Sequence, residues 1–188
     1  MLVRHGQTEW SASGRHTSRT DLELTTEGER QARALEPALA GRPFVAVFAS
    51  PRRRALRTAE LAGLAVTAVD DDLAEWDYGA YEGLTTPEIR RDNPGWNLWT
   101  DGCPGGESPE QAGARLDRVL DRVRPLLADG DVALVGHGHA SRVLAARWVG
   151  EPASFGGRLR LDTATLSELG HDHEREAIGH WNAPVISG

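Results

Sequence analysis

Two apolar runs in this 188-residue chain break at a histidine beside glycine, and that pairing narrows the folds open to it. One is Leu2-Val3, running into Arg4-His5-Gly6; the other is Asp131–Val135, running into Gly136-His137-Gly138-His139. A short apolar run bounded by turn residues reads as a buried strand, and a glycine after it lets the chain turn away. Strands of this kind alternate with helical stretches along the chain. That alternation predicts an α/β domain, a three-layer α/β/α sandwich around a mostly parallel central sheet. In such sheets ligands sit outside the carboxyl ends of the strands, where both histidines fall.

The other elements follow from cap and turn signals. Ser11–Glu23 reads as a polar loop. A helix is predicted from Thr26 to about Leu39, with Thr25 or Thr26 as N-cap and Glu29 placed for a capping box. Gly41-Arg42-Pro43 stops it. Phe44–Ala49 is the second strand, Arg52–Ala62 a helix behind Pro51, and Val66–Val69 a short strand. Asp70–Gly83 is an acidic, aromatic loop, Thr86–Arg91 a short helix, and Asn93–Gly106 a loop. Ser108–Leu127 is the long helix, capped by Ser108. Ala140–Val149 is helical, and Thr163–Gly170 and Glu174–Trp181 alternate like a hairpin. One domain spanning 1–188 is expected from the length.

Composition excludes several classes of function. The net charge of −7 argues against general binding to nucleic acid or to an anionic membrane. It also makes local arginine clusters candidate anion sites; all 21 cationic side chains are Arg. The lone Cys103 excludes an intramolecular disulfide framework and is compatible with the cytoplasm. No stretch is apolar enough to span a bilayer, and no signal peptide is evident.

Three strand-to-helix junctions carry related chemistry. Arg4 is a permanent planar cation suited to a phosphate, and His5 is a nitrogen nucleophile that is uncharged near neutral pH. Ser50-Pro51-Arg52-Arg53-Arg54 opens a helix, where N-terminus and cations both favour an anion. Within that cluster Arg52, Arg53 and Arg57 read as a solvated helix face. His137 stands at the third junction, past Asp131–Val135. Two histidines at equivalent positions with arginines between them suit a phosphoryl group whose transition state spreads negative charge.

These motifs, together with Thr58-Ala59, Leu73-Ala74-Glu75, Glu82-Gly83 and Gly105-Gly106-Glu107-Ser108, resemble the histidine phosphatase superfamily, the phosphoglycerate-mutase-like clan. Their order matches the family's from residue 2 to beyond 138. Gly14-Arg15-His16-Thr17 and Glu75-Trp76-Asp77-Tyr78-Gly79 further resemble actinobacterial members that look like acid phosphatases although they carry the mutase name. The resemblance implies a phosphoglycerate mutase-like fold. It implies His5 as the group that becomes a phosphohistidine, with Arg4, Arg54 and His137 around the phosphoryl oxygens. Glu75 is implied as the proton donor to the leaving alcohol, a role that needs a raised pKa; Trp76 and Tyr78 would supply the desolvation. Ser11 falls where many members carry Asn, Thr17 where mutases contact phosphate, and Gly138 in the second His-Gly motif.

Other polar residues receive plainer readings. His171, His173 and His180 lie in the hairpin without a Cys partner, and no metal site is expected. His139 is read as starting a helix, and His16 as either at the pocket mouth or in an ordinary loop. Trp76, Trp96 and Trp99 fall in lid-like loops where packing is the simpler role, and Trp10, Trp148 and Trp181 read as core. The expected activity is a metal-independent phosphomonoesterase that needs no cofactor and acts on a small phosphorylated metabolite. A cofactor-dependent phosphoglycerate mutase is the alternative. Against it stands the short Gly83–Gly106 segment, which lacks the Arg-bearing insertion of family mutases. A homodimer is compatible with these features.

Overall fold

A computed structural model describes residues 1–184. The helices are α1 (Glu9–Ser13), α2 (Thr26–Ala34), α3 (Glu36–Leu39), α4 (Arg53–Leu61), α5 (Thr86–Asp92), α6 (Leu98–Asp101), α7 (Pro109–Val123) and α8 (Gly138–Trp148). The strands are β1 (Leu2–Arg4), β2 (Phe44–Ala49), β3 (Ala68–Val69), β4 (Asp131–Gly136), β5 (Thr165–Asp172) and β6 (Arg175–Pro184). They form one sheet in the order β3-β2-β4-β1-β5-β6. The β3–β2, β2–β4 and β4–β1 pairs are parallel, and β5 and β6 close the edge antiparallel.

The layering follows from the side-chain alternation of the central strands. Leu2, Ala46, Val132 and Leu134 point into one apolar cluster, which α7 and α8 cover with Leu116, Leu120, Val143 and Leu144. Val3, Val47, Ala133 and Val135 point into the other, with Leu35, Ala55 and Ala59 from the segments on that side. Both faces of the sheet are therefore buried, as the continuous apolar runs require. No helix among the described residues is long and apolar enough to cross a membrane.

Several boundaries differ from expectation, each for a local reason. The stretch expected as a polar loop begins with α1, because Thr8 and Ser11 form a reciprocal capping box and Gly14 ends the helix at φ 73°. The single helix expected over Thr26–Leu39 is two. Pro37 lacks the N–H that a continuous helix would need there and sits instead in the first turn of α3. Thr25 is the N-cap and accepts from the Gly28 N–H, so Glu29 closes no capping box. The long helix stops at Val123, and Pro125 lies in a 3₁₀ turn that follows it. The loop expected at Asn93–Gly106 contains α6, capped by Asn97, and buries Trp96. Trp148 is core as expected, whereas Trp10 and Trp181 are only half-buried.

Gly6 does not serve as a left-handed turn. A Cβ there would lie 2.3 Å from the Gly28 carbonyl oxygen, and one at Gly28 would lie 2.0 Å from that of Gln7. The loop after β1 is thus pressed against α2 backbone to backbone. Gly28→Ala should lower the unfolding free energy by about 2 kcal/mol or more, because backbone must yield rather than a side-chain tip. Urea denaturation checks this.

Candidate active site

Strand register builds the site. Arg4 pairs with Gly136 across β1 and β4, and the next peptide continues the ladder with His5 N–H donating to Gly136 O at 3.0 Å. On the other side of β4, Ala49 pairs with Val135 and Ser50 N–H donates to Val135 O at 2.9 Å. Three adjacent parallel strands therefore end level, with His5, His137 and Ser50 side by side. The His5 and His137 rings meet edge to face with centroids 5.1 Å apart.

Hydrogen bonds settle the ring states. His5 Nδ1–H donates to Gly6 O at 2.7 Å, which leaves Nε2 as the lone-pair nitrogen. Arg54 Nε–H donates to His137 Nδ1 at 3.2 Å, so His137 carries its hydrogen on Nε2 and donates it to Ser50 Oγ at 2.7 Å. Burial pushes the pKa of both rings well below 6.5, and the Arg54 and Arg4 charges push the same way. Both imidazoles are neutral.

A cavity of about 270 Å³ opens over His5. Of the residues expected at the site, Arg4, His5, Ser11, Thr17, Glu75 and Gly138 line it. Arg54 and His137 do not: both are fully buried behind the wall. Arg54 ties the Thr17–Thr20 loop together, its Nη1 donating to Thr20 O at 3.1 Å and its Nη2 to Thr17 O at 3.2 Å. Glu82 completes that loop by accepting from the Ser18 and Thr20 N–H groups. Thr58 accepts from Gly6 N–H at 3.0 Å, which explains its place among the motifs. The Ser11 hydroxyl is occupied in the α1 cap, and the Thr17 hydroxyl donates to Arg15 O. Arg4 donates to Leu161 O, while its Nε is buried with no partner among the described residues.

Glu75 sits at the amino end of α8, where its oxygens accept from the N–H groups of Trp76 (2.9 Å), His139 (3.0 Å) and Ala140 (2.8 Å). Trp76 and Tyr78 are buried nearby as expected, yet peptide donors meet both carboxylate oxygens. The Glu75 loop is clamped from α7. Arg115 donates to the carbonyls of Asp72 and Ala74 and pairs with Glu107 at 2.6 Å, while Glu107 accepts from Asp77 N–H. This clamp is the structural content of the Gly-Gly-Glu-Ser motif.

Sequence reasoning missed Arg142 as a site residue and read His139 only as a helix start; both line the cavity, as do Thr8, Arg15, Tyr78 and Thr86. The signal for Arg142 was present, since it follows Gly138 by four residues and shares its helix face. His16 also lines the cavity, and burial lowers its pKa to about 4. Arg53 and Arg57 make ion pairs with Glu23 and Glu29, as a solvated face would. Arg52 departs from that reading, because its Nε is buried without a described partner. His171, His173 and His180 lie on the β5–β6 hairpin, and no cluster of metal-ligating side chains occurs among the described residues.

A parallel-sheet site with two neutral histidines among buried arginines defines a phosphoryl-handling α/β protein. The model of the histidine phosphatase superfamily (branch 1) matches residues 1–184, and the chain belongs to that family. It is 47% identical over 176 residues to an acid phosphatase of Mycobacterium tuberculosis, covering 92% of this chain and 86% of that one. It is 40% identical over 182 residues to sedoheptulose 1,7-bisphosphatase of Saccharomyces cerevisiae, covering 80% and 67%. Among solved structures, that of open reading frame Rv3214 of M. tuberculosis superposes with TM-score 0.95 at 43% identity, over 98% of this chain and 97% of that one. Mycobacterial glucosyl-3-phosphoglycerate phosphatase Rv2419c gives TM-score 0.83 at 32% identity, covering 97% of each chain. Phosphatase relatives and phosphatase structural neighbours together support a phosphoric monoester hydrolase.

The buried histidines have a consequence for acid stability. His5, His16, His137 and His139 take up protons at lower pH when folded than when unfolded. As pH falls, the unfolded chain therefore binds protons first. The stability of the neutral rings is complete above about pH 6.5 and is lost progressively toward pH 4. Calorimetric Tm should fall across that window, and His16→Gln should make the decline shallower.

Proposed function

We propose that this protein hydrolyses phosphomonoesters without a metal, through a phosphohistidine on His5. The observation that carries the reading is the His5 ring, fixed by its Nδ1–H bond to Gly6 O and kept neutral by burial. Nε2 attacks phosphorus, the bond to the leaving alcohol oxygen breaks, and the alcohol departs with a proton passed through Glu75. Water then attacks the phosphohistidine, gives its proton to Glu75, and frees inorganic phosphate and His5. Arg4 offers its free Nε–H and its charge to the phosphoryl oxygens. Arg54 and His137, lying behind His5, act on the same charge from the second layer. Ser11, Thr17 and Gly138 fill out the wall around the phosphate.

The first proton enters with the substrate. A phosphate monoester loses its second proton near pH 6, so mildly acidic solution supplies the monoanion beside Glu75. His5 stays neutral there because its pKa lies well below 6.5. Activity should therefore rise as pH falls through about 6, and pH–rate profiles of kcat/KM check it.

Hydrolysis is favoured over mutase action by the Gly83–Gly106 segment. Its arginine pair stands on α5 outside the cavity lining, with Arg90 Nε donating to Trp96 O at 3.0 Å. Relatives named probable phosphoglycerate mutase, at 30% identity, keep that alternative in the assay. The substrate class proposed is a small phosphorylated metabolite, and the cytoplasm is the proposed compartment.

Turnover of labelled substrate quenched in alkali should trap an acid-labile phosphate that His5→Ala abolishes, with kcat falling by about four orders of magnitude or more. Label on Ser, Asp or Cys would overturn the mechanism. Phosphate release from an aryl phosphate should survive EDTA. It should also far exceed interconversion of 3- and 2-phosphoglycerate, with or without 2,3-bisphosphoglycerate. Efficient isomerisation with negligible phosphate release would establish the mutase instead.

A further inference from the structure

The Arg4 guanidinium is fixed by little of its own. It packs on Gly138, where a Cβ would come within 3.2 Å of its Cζ and 3.3 Å of its Nε. Its one hydrogen bond to a described residue runs from Nη1 to the carbonyl oxygen of Leu161, and Nε is buried without a described partner. A guanidinium carries its donors in one rigid plane, so a single acceptor decides where the others point. The position of the Leu161 carbonyl is therefore decisive for the cation beside His5.

Leu161 belongs to a stretch anchored at both ends. At its entry lies a 3₁₀ turn over Ala153–Arg158, and a Cβ at Gly156 or Gly157 would come within 2.6 or 2.9 Å of the Trp99 indole. Arg142 adds a bond from Nε–H to Gly156 O at 2.9 Å, its guanidinium lying 4.4 Å over the Trp99 ring. At its exit the Ala164 N–H donates to His5 O at 3.1 Å. Residues 159–162 between these anchors have no regular structure, and Asp162 is exposed.

The middle of the stretch is held by β6. Leu166 pairs with Ala183 and Glu168 with His180, so Trp181 and Asn182 together face Ser167 in a bulge. Asn182 stands at φ 54°, a left-handed conformation that Asn tolerates better than most residues, and its N–H donates to Ser167 Oγ at 3.0 Å. Its amide grips the loop reciprocally. Asp162 N–H donates to Asn182 Oδ1 at 2.7 Å, and Asn182 Nδ2–H donates to Asp162 Oδ2 at 2.9 Å. Trp181 Nε1–H donates to Arg160 O. Both peptides flanking Leu161 are thus tied to the bulge. The Asp162 N–H and the Leu161 carbonyl belong to one planar peptide, so Asn182 holds one edge of it and Arg4 the other.

We propose that Asn182 is a positioning residue for Arg4, and that through the peptide between Leu161 and Asp162 it sets where the Arg4 donors meet the phosphoryl group. The proposal rests on the phosphatase reading, in which Arg4 binds the phosphoryl oxygens. It adds a residue from the closing hairpin that does not itself line the cavity. Losing the grip should weaken phosphate binding about tenfold, the worth of one charge-assisted hydrogen bond.

The test uses Asn182→Gly, which removes the amide and tolerates the left-handed backbone. Calorimetric titration with inorganic phosphate gives Kd, and hydrolysis of an aryl phosphate gives KM and kcat. Both Kd and KM should rise about tenfold in Asn182→Gly. In an Arg4→Lys protein the same substitution should change Kd by less than about twofold, because the group it acts through is gone. An unchanged Kd in Asn182→Gly alone, or equal losses in both backgrounds, would overturn the proposal. Where Asn182→Gly fails to fold, Asn182→Asp is compared with the exchange Asp162→Asn/Asn182→Asp. Asn182→Asp sets two carboxylates against each other and should weaken phosphate binding. The exchange restores a donor facing a carboxylate and should bring Kd back to within about threefold of wild type. An exchange that recovers nothing would count against Asn182 as decisively. A wild type that neither binds phosphate nor releases it would overturn the phosphatase reading itself, and this proposal with it.

Discussion

The register between β1, β4 and β2 is the constraint on which everything else rests. Parallel pairing of Arg4 with Gly136 and of Ala49 with Val135 brings three strand ends to one level. His5, His137 and Ser50 then become neighbours without any loop having to reach. A slip of one residue would swap the side chains that each strand sends to the two apolar clusters, so the packing of both clusters polices this register. Catalytic geometry and core packing are in this sense one requirement.

Around that line of strand ends the loops are fastened by buried polar side chains. Arg54 and Glu82 hold the Thr17–Thr20 turn from two directions. Arg115 and Glu107 hold the Glu75 turn against α7. Thr58 holds the turn after β1. Each fastener except Arg115 is one of the scattered motif residues, so most of the family pattern describes how loops are fixed. The side chains that face the cavity are fewer.

This division explains what could be read from the chain alone. The α/β architecture was legible because strand runs and glycine breaks are local signals, and so were His5, Arg4 and Glu75 through the motif order. Helix ends were less legible: Pro37 and Pro125 each cut a helix whose apolar period continues across them. The burial of Arg54 and His137 behind His5 was hidden, since depth depends on what packs in front. The same holds for Arg142 and His139, against which Trp99 and Tyr78 arrive from distant loops. Gly6 was assigned to a turn, while its actual demand is contact with Gly28, a pairing no local signal announces.

The wedge of Trp99 against Gly156 and Gly157 joins the α6 segment to the turn after α8. None of the fasteners of the Thr17, Glu75 and β1 turns passes through it. Trp99 also meets Trp76 edge to face at 5.6 Å, so the rim that holds Arg142 leans on the loop that carries Glu75. A chain built this way cannot drift at its rim freely over evolutionary time, because a change at Trp99 is also felt by the neighbour of Glu75.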